Sequence, residues 1–178
     1  MAVIKRTNPP APIELGTNAI KNHLLAYWRF RRGWHYVATE CWDEDVVVSN
    51  GQQLVFVEVK ISWADYRHEF QKSKYHETLA GTPDWMRLPV LPNRKYLAAP
   101  LELARRIAQD VPNHHPEFGV LALWDDAPVR GQGVTGADIT ILHKSKAIHN
   151  NAVSPIVLNT LLGRMASELV TVRAEARP

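Results

Sequence analysis

Asp45-Val46-Val47-Val48-Ser49-Asn50-Gly51-Gln52-Gln53-Leu54-Val55-Phe56-Val57-Glu58-Val59-Lys60 is the stretch that decides the fold. Two runs rich in β-branched residues flank Asn50-Gly51, a dipeptide that readily supplies the two positive-φ positions of a type I′ turn. A two-residue loop there sets Asp45 opposite Phe56 and Glu58 diagonally beside Asp45, on the same face. Diagonal neighbours lie roughly 7–8 Å apart, so both side chains can converge on one ion. Lys60 shares that face, because side chains alternate with period 2. The opposite face, Val46, Val48, Val55, Val57 and Val59, reads as packing surface. Two carboxylates and a lysine thus project from otherwise apolar strands. Burying them without partners is costly, which makes this the candidate site.

Two acidic oxygens, the backbone carbonyl of Val59 and waters make a hard-oxygen site suited to Mg²⁺ or Mn²⁺. Such an ion activates water and stabilises charge on a phosphoryl group in transfer. The Lys60 ammonium would orient the attacking water or offset phosphate charge. The residues leave a plainer reading open: a Glu58–Lys60 salt bridge at a strand edge, with Asp45 simply ending a turn.

Asp45 on one strand and Glu58-Val59-Lys60 on the next resemble the PD-(D/E)xK nuclease superfamily. The chain is more closely similar to the MmcB-like DNA-repair family and related phage-encoded proteins. There the lysine is followed by Ser-x-x-Asp-(Phe/Tyr), matched by Ser62-Trp63-Ala64-Asp65-Tyr66. Lys72, Lys74, Tyr75 and His76, then Lys95-Tyr96-Leu97-Ala98-Ala99-Pro100, look like that family's later pattern. Gln71-x-x-x-Tyr75 looks like the Gln-xxx-Tyr element of RecB-type exonucleases. The resemblance covers about residues 14–124, and Asp43-Glu44-Asp45 stands where the family has Arg-x-Asp. It implies a restriction-endonuclease-like fold, a mixed central sheet flanked by helices, and Mg²⁺-dependent cleavage of DNA. Asp45, Glu58, Lys60 and Gln71 would serve catalysis, and Asp45, Glu58 and Val59 would hold metal. Related nucleases often add a first-helix acid, which points to Glu14.

Bulk properties agree with a soluble enzyme. The 178 residues, 46% hydrophobic and 22% charged, suit one domain with a sizeable core. Net charge is only +3, but it is segregated. Residues 1–36 hold Lys5, Arg6, Lys21, Arg29, Arg31 and Arg32 against Glu14 alone. Residues 37–58 hold Glu40, Asp43, Glu44, Asp45 and Glu58 and no Lys or Arg. An acidic pocket beside a basic surface suits a metal enzyme that grips a polyanion such as DNA. Cys41 is the only cysteine, which excludes an intramolecular disulfide and a cysteine zinc cluster. No apolar run approaches membrane length, and the first residues lack a signal-peptide core, so the expected location is the cytoplasm.

In chain order, prolines 9, 10 and 12 predict an extended arm over residues 1–16, ahead of a single nuclease-like domain over 17–178. Thr17 caps a predicted helix over 18–32 with a basic face of Lys21, Arg29 and Arg32, and Gly33 ends it. A strand over 34–42 carries Glu40, a further candidate ligand. Ser62 and Asp65 form a capping-box-like start to a helix reaching towards Gly81. Arg67, Gln71, Lys72, Lys74 and Tyr75 on that helix would lie along the DNA phosphate path. Strands over 95–99 and 118–124 with a helix over 101–110 between them imply a crossover and a sheet covered on both faces. Gly131-x-Gly133-x-x-Gly136 precedes a strand rather than a helix, so it is no dinucleotide fingerprint. Ser154-Pro155 opens a last helix whose stripe of Leu158, Leu161, Leu162, Met165, Leu169 and Val172 reads as core or as a homodimer contact. A repair or phage protein is a further candidate partner.

Overall fold

A computed structural model describes residues 16–72, 90–124 and 138–175. The chain is an α/β protein built on one six-stranded mixed sheet in the order β1-β2-β3-β4-β5-β6. The strands are β1 (Tyr36–Cys41), β2 (Glu44–Ser49), β3 (Leu54–Val59), β4 (Arg94–Pro100), β5 (Phe118–Trp124) and β6 (Asp138–His143). Helix α1 (Thr17–Ala26) precedes them, α2 (Trp63–Glu69) follows β3, α3 (Leu101–His114) links β4 to β5, and α4 (Pro155–Glu175) comes last. The β3–β4 and β4–β5 pairs are parallel, and the other three are antiparallel.

Alternation along the central strands assigns each helix its face. Val46, Val48, Val55, Val57 and Val59 form one cluster with Ile20 and Leu24 of α1, as the hairpin pattern predicts. On the other face, Leu97, Ala99, Val120 and Ala122 pack under Tyr66 of α2 and Ala104, Ile107 and Val111 of α3. Beside them Val47, Leu54 and Phe56 pack under Val157 and Leu161 of α4. The sheet is therefore covered on both faces.

Several local expectations are corrected. The β2–β3 loop runs from Asn50 to Gln53, because Asn50 Oδ1 accepts the Gln52 and Gln53 amides at 2.9 and 2.8 Å. That side-chain turn replaces the two-residue hairpin, and Val47 now pairs with Phe56. By the same register Asp45 falls opposite Glu58 rather than diagonal to it; the shift is by two, so the face is unchanged. The tight two-residue turn instead joins β1 to β2, where Trp42 and Asp43 take positive φ of 55° and 60°.

The first helix begins one residue early, with Gly16 as N-cap, and closes in a π-helical turn over Tyr27–Arg31 before Gly33 at φ 68°. Helix α2 is correctly opened by Ser62, whose Oγ accepts the Asp65 amide at 3.1 Å. It ends at Glu69, however, far short of Gly81. The Gln71 and Lys72 amides bond back three residues, to His68 and Glu69, which tightens the chain out of the helix. In α4 the buried stripe is Val157 and Leu161, whereas Leu162 and Leu169 are exposed. A helix lying near one edge of a sheet buries a narrower stripe than its apolar residues suggest.

Candidate functional site at the ends of β2 and β3

Asp45 is the second residue of β2 and Glu58 nears the end of β3, with Lys60 just beyond it. The three come together with acids from α2. Glu58 Oε2 is 3.6 Å from Lys60 Nζ, and Asp65 Oδ1 is 3.7 Å from it. The tightest partner is one the sequence reading missed: Glu69 Oε2 accepts from Lys60 Nζ at 2.6 Å. The Lys60 side chain is 2% exposed and that of Glu69 is 0% exposed. Glu69 sits seven residues after Ser62, so the capping signal that fixes the start of α2 also fixes which of its residues faces back to β3. Only the register of that helix against the sheet could have revealed it.

Lys60 is a charge, not a base. Burial disfavours its ammonium, but Glu58, Glu69 and Asp65 more than compensate, and its pKa is raised above 10.5. It therefore stays protonated at neutral pH and can only donate hydrogen bonds or offset negative charge.

Asp45 is held on two sides. Its Oδ2 accepts the Val59 amide at 2.8 Å, and its Oδ1 meets Lys21 Nζ of α1 at 2.7 Å. The same ammonium bonds Glu40. The Glu58 carboxyl lies within hydrogen-bonding reach of Asp45. Burial raises the Asp45 pKa, but the bonds from Lys21 and Val59 outweigh it, and the group is held below the usual carboxylate range. Asp45 is thus ionised and ordered, with its side chain 21% exposed. Its neighbours in the Asp43-Glu44-Asp45 run go elsewhere: Asp43 is exposed in the turn, and Glu44 pairs with Lys95 at 3.6 Å.

Glu40 joins the cluster through Lys21, and its φ of 50° places it among the positive-φ residues around the β1–β2 turn. Gln71 does not join it. Past the end of α2, its Oε1 meets His68 Nδ1 at 3.0 Å, in a shallow cleft with Arg67, Tyr66, Asp110 and His114. Arg67 is exposed, and half-exposed Lys72 contacts Glu69 at 2.6 Å. Lys74, Tyr75 and Glu14 lie outside the described residues.

The donor set suits a small divalent cation. The Asp45 and Glu58 carboxylates and the Val59 carbonyl are all hard oxygens, and the Lys21 ammonium against Asp45 shows that positive charge is accommodated there. Among the described residues no group of three or more His, Cys, Asp or Glu is placed to hold a metal ion. An ion here would draw its remaining ligands from water or substrate, the usual state of protein-bound Mg²⁺.

No protein-family model matches the chain. No curated protein matches it either. A solved structure, a protein of unknown function from Silicibacter pomeroyi, is similar, with a TM-score of 0.53 and 16% identity over 89% of this chain and 92% of that one. The likeness is one of fold alone. Among the described residues no helix is long and apolar enough to cross a membrane.

Proposed function

We propose that the protein is a metal-dependent deoxyribonuclease of the PD-(D/E)xK kind, hydrolysing phosphodiester bonds in DNA repair, recombination or phage DNA metabolism. One observation carries the reading: Asp45 and Glu58 fall opposite each other on adjacent antiparallel strands, with Lys60 bonded into the same acidic cluster. Asp45, Glu58 and the Val59 carbonyl would hold Mg²⁺ or Mn²⁺. When bound, such an ion supplies a more acidic water and offsets charge on the scissile phosphate. Lys60 adds a fixed positive charge beside the phosphate. Glu69 positions that ammonium, and the Val59 amide orients Asp45. Arg67 on α2 and Lys72 just past its end, together with Lys74 and Tyr75, would contact the DNA backbone, with Gln71 beside them.

A second reading is favoured by a different observation. Lys60 is sealed against Glu69, and Asp45 already carries an ammonium, so both groups are paired without any metal. That state suits a nuclease fold that grips DNA or a protein partner without cutting it. Cleavage of labelled single-stranded, duplex and branched DNA with Mg²⁺ or Mn²⁺, beside Asp45→Asn and Glu58→Gln, separates the two. Ion-dependent cutting that falls at least about a hundredfold in each variant supports the nuclease, the scale on which removing one group that stabilises transition-state charge acts. Intact binding with no cutting under any condition makes the module the correct reading.

A further inference from the structure

Lys21 belongs to no part of the chemistry above, yet it makes the closest contact to Asp45, near the start of β2. Its Nζ is 2.7 Å from Asp45 Oδ1 and bonds Glu40 as well, and its side chain is only 10% exposed. It extends from α1, whose Ile20 and Leu24 are wholly buried against the valine face, so the helix cannot easily carry it away. A lysine so enclosed is stable only while carboxylates surround it. The oxygen it holds is one that a metal at Asp45 needs, and two cations crowding one carboxylate repel each other.

We propose that Lys21 is the resident counter-ion of the acidic site and competes with the divalent cation for Asp45. The ion gains Asp45 only as the ammonium gives it up and shifts towards Glu40 or towards an incoming phosphate. Lys21 is thus a positioning residue that keeps metal affinity low until a polyanion offers the ammonium another partner. The inference rests on the metal reading of Asp45 and Glu58.

Titration calorimetry with Mn²⁺ on the full chain tests it without relying on activity. The proteins are the wild type, Lys21→Met, Lys21→Gln and Asp45→Asn, each also melted with and without the ion. Both Lys21 variants should bind Mn²⁺ roughly tenfold more tightly or better, as expected when one cation leaves a shared carboxylate. Both should melt lower than wild type in chelator and recover when Mn²⁺ is added. Lys21→Gln keeps a hydrogen-bonding side chain and decides the matter where Lys21→Met fails to fold. Binding in the Lys21 variants alone also supports the proposal. Unchanged or weaker binding in folded Lys21 variants, with binding still lost in Asp45→Asn, overturns the role of Lys21 and leaves the metal site standing. No binding in the wild type or either Lys21 variant overturns the metal site and the proposal together.

Discussion

At the scale of single residues, the site is a buried charge network whose members constrain one another. Removing Glu69 takes from Lys60 its 2.6 Å partner and leaves Glu58 and Asp65 more than 3.5 Å away. Glu69→Ala should therefore cost about 3 kcal/mol, the low end for breaking a buried pair, because two acids remain nearby. Urea unfolding checks the value, and a cost near zero would mean that Lys60 simply re-pairs. The network also sets two limbs of the pH–stability curve. Lys60 has a folded pKa above its ordinary 10.5, so its contribution is complete below that value and is lost as pH rises through the folded one. Asp45 lies below its ordinary 3.8, so its contribution is complete above that value and fades as pH falls through the folded one. Asp45→Asn should flatten the acid limb and leave the Lys60 contribution to the alkaline limb in place. An unchanged acid limb would show that other carboxylates control it.

At the scale of elements, close approach explains what alternation does not. Gly119 in β5 lies beside Tyr96 of β4, whose ring stands where a Cβ would go; that Cβ would also sit 2.6 Å from the Ser145 amide nitrogen. Tyr96 is 5% exposed and cannot swing aside freely. Gly119→Ala should destabilise by about 1–3 kcal/mol, as overpacking of a filled interior does. Thermal unfolding reads it, and a neutral result would mean that the segment after β6 moves aside without cost. The hairpin shows a related lesson. Asn50-Gly51 does mark a turn, but the Asn50 carboxamide binds two downstream amides and widens it. Trp42 and Asp43 take the tight turn at positive φ, a conformation that Asp adopts more readily than most residues, and the Trp42 ring stacks on Phe56 at 6.0 Å.

At the scale of the whole molecule, the last helix closes an edge. β1 is an outer strand, and its Thr39 amide donates to Glu168 Oε1 at 2.8 Å while its carbonyl accepts from Arg164 Nε at 3.0 Å. Two side chains of α4 thus bond the strand where a seventh strand would, which blocks edge-to-edge pairing. Arg164→Ala with Glu168→Ala should cost about 1–3 kcal/mol for the two lost backbone bonds and the Thr39 hydroxyl bond to Glu168, and raise the tendency to aggregate. Light scattering during slow heating measures the second effect. Unaltered scattering and stability would show the edge to be protected by packing alone.

Much of this protein is written locally. Alternation in the two valine-rich runs, the Ser62 cap, Gly33 after the first helix and Pro155 opening the last are short-range signals, and each survives in the fold. The same alternation set Asp45, Glu58 and Lys60 on one side of the hairpin, and a register shift of two residues could not undo that. Tertiary structure alone decided which charges meet. Lys21 reaches Asp45 across 24 positions of sequence and Glu168 reaches Thr39 across 129, and neither lies at a spacing that any helix or strand period connects. Glu69 lies closer, nine positions past Lys60, but the two face each other only because α2 packs back on the sheet. Such partners are chosen when whole elements dock, because a charge carried under a neighbouring helix must find its opposite there or remain outside.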